Sequence, residues 1–138
     1  MLKTLRSLAT VIFAATLLAA TAAATTLPPK LTAKNTRVLE GDSGETIVKL
    51  KLRLNAPALS DTSVTWKTRN GTANRGEDYV KASGRKTIKA GKQKARIKLR
   101  IKGDTEVEGK EFFKVIFADP TNLELERRRV RVIILDDD

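Results

Sequence analysis

Lys94-Ala95-Arg96-Ile97-Lys98-Leu99-Arg100-Ile101-Lys102 alternates without a break. Ala95, Ile97, Leu99 and Ile101 fall on one side, and Lys94, Arg96, Lys98, Arg100 and Lys102 on the other. A period of two is that of a strand with one face in a core and the other in water. The same pattern recurs on both sides of this stretch. Residues 45–54 set Val48, Leu50, Leu52 and Leu54 against Lys49, Lys51 and Arg53. Residues 62–68 turn Val64 and Trp66 inward, and 86–89 form a short strand around Ile88. Residues 111–117 turn in Phe113, Val115 and Phe117, and the last strand turns in Val130, Val132 and Ile134. A first strand is expected over 32–39, and 79–82 is extended. Turn signals lie between: Gly41 to Gly44, Pro57, Asn70-Gly71 with Gly76, Ser83-Gly84, Ala90-Gly91, and Asp119-Pro120-Thr121-Asn122. Seven short strands and no helical stretch after residue 24 predict an all-β chain, a seven-stranded antiparallel β-sandwich, with a barrel as the alternative.

The chain has 138 residues, enough for one domain. Residues 1–24 read as a secretory signal peptide. Lys3 and Arg6 precede an apolar run from Leu8 to Ala20, about 13 residues against the ~20 that span a bilayer. Ala20-Thr21-Ala22 and Ala22-Ala23-Ala24 offer small-residue cleavage sites after Ala22 or Ala24. An uncleaved anchor is the alternative. Export to the periplasm, the cell surface or the medium is therefore expected, with no transmembrane span in the mature chain. Residues 25–30, with Pro28-Pro29, form a lead-in, and the folded domain is expected over 31–138. With no Cys and no His, disulfides, the usual structural zinc sites and His- or Cys-based catalysis are excluded. Any metal is held by oxygen, which favours hard cations such as calcium. Without Lys3 and Arg6, the 27 basic side chains become 25 against 16 acidic ones, a net of +9 that suits polyanionic partners.

The acids are not spread evenly. If successive strands run up and down, one end of the sandwich collects Glu40, Asp42, Glu45, Glu77, Asp78, Asp104, Glu106, Glu108, Glu111, Asp136, Asp137 and Asp138, which is 12 of the 16. At ~5 Å and an effective dielectric of about 20, each pair of adjacent carboxylates in Asp136-Asp137-Asp138 costs on the order of 3 kcal/mol. Water and salt, or a bound cation, must offset that repulsion. Calcium takes about 6–8 oxygens, chiefly carboxylates and carbonyls. Polar loops whose acids are merely solvated are the plainer account, and the spacing fits no EF-hand loop.

Val38-Leu39-Glu40-Gly41-Asp42, Gly71-Thr72-Ala73, Gly76-Glu77-Asp78-Tyr79, Ser83-Gly84, Ala90-Gly91, Asp104 to Phe113 and Ile133 to Asp138 occur in one order along the chain. Taken together, they make residues 31–138 resemble the Calx-beta domain, the calcium-binding β-sandwich of sodium–calcium exchangers and many bacterial surface proteins. The resemblance implies an immunoglobulin-like sandwich with calcium at one tip. It implies ligands at Glu40, Asp78, Asp104, Glu108, Asp136, Asp137 and Asp138, with help from Glu111. One departure stands out: the family's acidic pair in the loop after the fifth strand is here Gly103-Asp104. One or two calcium ions, bound more weakly than by a full cluster, are expected. Trp66 is placed as the buried Trp of immunoglobulin-like domains is, without the inter-sheet cysteines.

In the family the second and fifth strands are neighbours. Lys49, Lys51, Arg53, Lys94, Arg96, Lys98, Arg100 and Lys102 would then cover one sheet face, ~6.7 Å apart along a strand and ~4.8 Å between strands. Such a face either keeps an exposed sheet soluble or binds a polyanion such as anionic polysaccharide or lipopolysaccharide. No aromatic interleaves these cations, so no specific nucleic acid is expected. Asn70-Gly71-Thr72 fits the N-glycosylation pattern, but the same residues make a turn, and the turn is preferred. Ser43, Ser60, Ser63 and Ser83 have no His to activate them, and no apolar setting is legible around Asp104 and Glu108, so no enzyme is expected.

Overall fold

The structure is a computed structural model that describes residues 26–138. The signal-peptide expectation for 1–24 lies outside the described residues. Within them the fold is all-β, two sheets packed face to face with no helix. The strands are β1 Lys30–Ala33, β2 Thr36–Leu39, β3 Glu45–Leu54, β4 Thr62–Asn70, β5 Ser83–Ile88, β6 Lys94–Lys102, β7 Glu111–Thr121, β8 Glu124–Leu125 and β9 Arg129–Leu135. One sheet has the order β6-β3-β1-β8, the other β2-β9-β7-β4-β5.

The period-two reading holds along the long strands. Leu50, Leu52 and Leu54 of β3 are buried, as are Ile97, Leu99 and Ile101 of β6, against Phe113, Val115 and Val132 of the facing sheet. The intervening cations of β3 and β6 stay exposed. Burying one face of each sheet in this way is what stabilises a sandwich without disulfides.

Nine strands replace the expected seven, and two pairings are parallel. The expected first strand is in fact two. β1 pairs antiparallel with β3, the chain then crosses at Lys34 and Asn35, and β2 pairs parallel with β9 in the other sheet. The crossing is pinned by the Arg131 amide, which donates to Asn35 Oδ1 at 2.9 Å. No Gly or Pro marks it, so the alternation reads as continuous. The other parallel pair is β8 with β1, through Lys30–Glu124 and Leu31–Leu125.

Two expected turns are strand. Ser83 and Gly84 belong to β5, where Gly84 lies opposite Trp66. A Cβ at Gly84 would sit 3.4 Å from the indole Nε1, so this glycine leaves room for Trp66 rather than making a turn. Trp66 itself is half-buried against the core. β7 runs on through Asp119 and Pro120, with a register shift against β4 between Ser63 and Thr65. Asp119 and Asn122 absorb the bend with φ of 47° and 56°.

β3 and β6 are neighbours, and their cations meet in register: Lys49 faces Lys98, Lys51 faces Arg96 and Arg53 faces Lys94. Like charges directly opposite destabilise a sheet. Lys98→Glu gives Lys49 an opposite partner and is expected to stabilise by about 0.5 kcal/mol, a rise of roughly 3 °C in thermal unfolding. An unchanged Tm would show that this repulsion is already relieved by solvent.

Candidate metal centre

The parallel β2–β9 pair builds the acidic tip. Leu39 lies beside Leu135, so Glu40 and Asp136 leave the same end of the sheet together. β6 ends nearby at Lys102, and β7 begins with Glu111 opposite Ile134. The β4–β5 loop reaches the same end, where Tyr79 bridges to Ile101. Four separate segments thus deliver carboxylates to one place.

Glu40 is the innermost. Its amide donates to Leu135 O at 3.0 Å, extending the ladder one residue past β2, and its carbonyl accepts from Thr46 Oγ1 at 3.0 Å. The residue is 4% exposed, and Oε1 has no hydrogen-bond partner. Burial pushes its carboxyl up to about 7, helped by the charges of Asp104, Glu108, Asp136 and Asp78. A buried carboxylate oxygen with no donor is costly unless something positive reaches it.

Asp78 is also buried, and its neighbour explains why it is held so firmly. Tyr79 is enclosed and stacks on Phe113 with ring centroids 4.0 Å apart, while its hydroxyl donates to Asn70 Oδ1 at 2.6 Å. The ring anchors the loop. Asp78 Oδ2 then accepts from the Asn74 amide at 2.6 Å, and Asp78 O accepts from the Lys102 amide at 2.9 Å. Asn70 Oδ1 also accepts from the Arg75 amide at 3.0 Å, so this side chain organises the bend.

The carboxylates fall into two groups. Oxygens of Asp78, Glu108 and Glu111 lie within 4.8 Å of one another in a half-buried inner group. Oxygens of Asp42, Asp137 and Asp138 do the same in an exposed outer group. Burial, then the charges of Asp78 and Glu108, push Glu111 up to about 7. Burial first, then neighbouring acids, also raise Glu108 and Asp138. Asp136 bridges the segments: its Oδ2 accepts from the Glu108 amide at 2.5 Å and its Oδ1 from the Asp138 amide at 2.9 Å. Asp137 Oδ1 accepts from the Gly41 amide at 3.0 Å, and Asp104 Oδ1 from the Glu106 amide at 2.8 Å. The terminal aspartates, expected as one set, therefore divide, with Asp136 on the inner side and Asp137 and Asp138 on the outer. Asp42 was missed as a candidate ligand, although strand parity had put it at this end.

The opposite tip behaves differently. Asp61 accepts from the Ala90 amide at 2.9 Å and from Lys89 Nζ at 3.1 Å, and these donors hold its carboxyl below the usual range. Asp61 at the far tip is paired, whereas the clustered acids around Glu40, Glu108 and Glu111 repel one another. The donor set is oxygen alone, and together with the orphaned Glu40 oxygen it fits a hard cation such as calcium.

Gly103 has a structural cause. A Cβ there would lie 2.3 Å from Gly41 O and 2.9 Å from its carbonyl carbon. The Gly103 amide donates to Gly44 O at 2.9 Å, drawing the two loops together. Gly103→Asp is therefore expected to lower stability by about 1–3 kcal/mol by forcing these backbones apart, without strengthening cation binding. Thermal unfolding and calcium titration of that variant check both parts.

An immunoglobulin-like β-sandwich that gathers acids from four segments at one tip is the class that this fold defines. The chain belongs to the Calx-beta domain family, whose profile matches residues 30–138. That family is one of calcium-binding modules rather than enzymes. Among solved structures, the apo-form Calx CBD1 domain covers 80% of this chain and 98% of its own, with a TM-score of 0.70 at 23% identity. CBD12 from CALX1.2 gives a TM-score of 0.71 at 23% identity, covering 79% of this chain and 46% of its own. The Calx CBD2 domain gives 0.68 at 17% identity, covering 79% and 87%. At such identities the likeness is one of fold. Comparison with curated proteins gives no match. Among the described residues, no helix is long and apolar enough to cross a membrane.

Proposed function

We propose that this protein is an exported, non-enzymatic calcium-binding module that holds one or two ions at its acidic tip. The observation that carries the reading is the buried, unpartnered Glu40 Oε1 set among Asp78, Asp104, Glu108 and Asp136. The inner site would draw on Glu40, Asp78, Asp104, Glu108, Glu111 and Asp136, and the outer on Asp42, Asp137 and Asp138. A divalent cation there supplies the positive charge that these acids lack. Its loss leaves the loops to spread, which makes the tip a switch between ordered and loosened states. Export rests on the character of residues 1–24.

Calorimetric titration of chelator-stripped protein tests the reading. Saturable binding of one or two equivalents is expected. Asp78→Asn is expected to weaken it at least about tenfold, since it removes a buried ligand charge, while Asp61→Asn leaves it unchanged. Absence of binding up to millimolar calcium overturns the proposal.

A second reading, adhesion to polyanions without calcium, is favoured by one observation: β3 and β6 are hydrogen-bonded neighbours whose cations stand opposite one another.

A further inference from the structure

Three rungs of paired cations cross the open face of the four-stranded sheet: Lys49 with Lys98, Lys51 with Arg96, and Arg53 with Lys94. Among the described residues, none of the six has a carboxylate oxygen within 4.0 Å. The tip end of the same strands is different. There Arg100 is bridged to Glu45 at 3.3 Å, and Lys102 Nζ donates to Gly76 O at 2.5 Å. The unpaired charge is thus confined to the half of the face away from the acidic tip. A sheet that needed only solubility could mix signs and avoid the repulsion.

A groove runs beside these rungs. β1 pairs with β3 only from Leu54 to Leu52 before the chain leaves for the other sheet. That departure opens a concavity of about 560 Å³, lined by Lys34, Asn35, Lys49, Lys51, Arg53 and Asn55. Its amides are already oriented. Asn35 Oδ1 accepts from the Arg131 amide at 2.9 Å, and Asn55 Oδ1 from the Lys30 amide at 2.8 Å. Backbone donors take both oxygens, leaving the two NH₂ groups as donors. Beside Thr32, Thr36, Leu54 and Gln93, the lining thus presents cations and N–H donors. Glu126 reaches the β1 side, where it accepts from Thr32 Oγ1.

Resting on the second reading above, we infer that this groove binds a linear acidic polysaccharide. The chain lies along β3, with its carboxylates or sulfates on Lys49, Lys51 and Arg53, ~6.7 Å apart. Its hydroxyls meet the amides of Asn35 and Asn55. Single-stranded nucleic acid is a poorer fit because no aromatic ring lines the groove for bases to stack on. A bilayer is a poorer fit because the site is concave and carries no apolar side chain that projects from it.

The test is binding of the purified protein to polygalacturonate, dextran sulfate, neutral dextran, phosphatidylglycerol vesicles and duplex DNA, over a series of salt concentrations with chelator present. Two triple variants remove equal charge. Lys49→Ser/Lys51→Ser/Arg53→Ser strips the groove, and Lys114→Ser/Arg129→Ser/Arg131→Ser strips the opposite sheet. Both are exposed or half-buried positions, and thermal unfolding checks that each variant folds. An acidic polysaccharide is expected to bind and neutral dextran not to. The groove variant should lose about tenfold or more and flatten the salt dependence by about three charges, with the other variant changing affinity less than about twofold. Preference between polygalacturonate and dextran sulfate tells carboxylate from sulfate recognition. Equal losses from both variants, or tighter binding to vesicles or DNA, overturn the groove while leaving general polyanion adhesion standing. No binding to any polyanion at low salt overturns both.

Discussion

Calcium is expected to raise the unfolding temperature of chelator-stripped protein by roughly 10 °C or more once its concentration reaches about a hundred times the dissociation constant. At that ratio, a ligand that binds only the native state stabilises it by about 2.7 kcal/mol. For a domain near this size, each kcal/mol moves the midpoint by about 4–8 °C. Among the described residues no cation forms an ion pair with the inner group: Glu40 Oε1 has no partner, and oxygens of Asp78, Glu108 and Glu111 crowd within 4.8 Å. Magnesium, which prefers a near-octahedral shell and keeps its waters, is expected to give a much smaller rise. Half-buried Trp66 supplies a fluorescence signal for the same unfolding. A midpoint indifferent to calcium up to millimolar concentrations would reduce the tip to a solvated acidic end.

The second large effect is one of pH. Glu40 and Glu111 are each pushed up from 4.5 to about 7 in the folded chain. Between about pH 4.5 and 7 the native state holds protons that the unfolded chain releases. Stability without calcium therefore falls as pH rises through that window, and levels off above it. For Glu40 alone the loss is about 3 kcal/mol. Glu40→Gln keeps the shape and removes the charge. With chelator at pH 8 the variant is expected to unfold roughly 10 °C above the wild type, with a flatter profile between pH 5 and 8. With saturating calcium the order reverses, because the variant has lost a ligand. A wild-type profile that is flat from pH 5 to 8 in chelator would show that Glu40 is hydrated rather than desolvated.

Much of this was legible because period-two alternation reports directly on a sheet with one wet face. It placed β3, β6 and β7 within a few residues, and strand parity brought the acids to one end. What escaped is what alternation does not encode. The jump between sheets at Lys34 and Asn35 depends on Asn35 meeting a strand almost a hundred residues away. Gly84 looked like a turn because the bulk it accommodates, Trp66, lies on another strand. At the tip, the neighbouring Asp136, Asp137 and Asp138 could be read only as a run. Their separation into inner and outer groups follows from backbone amides at Glu108, Gly41 and Asp138, which no local pattern announces. Asp42 became a partner through that separation.

The parallel pairing of β2 with β9 also has a mechanical consequence. Both strands run toward the acidic tip, and the chain enters the domain at the other end. A pull applied at the two ends of the domain therefore draws β2 and β9 in opposite directions along their length. The four residue pairs from Thr36–Val132 to Leu39–Leu135, with the Glu40 amide beyond them, bear that load together in shear. A hairpin would instead peel one bond at a time. Resistance to such a pull is a matter of how fast this patch ruptures, not of how stable the whole fold is at equilibrium. The acidic tip sits at the end of the same patch, so a cation clamped between Glu40 and Asp136 would act as a rivet on the seam that carries the tension.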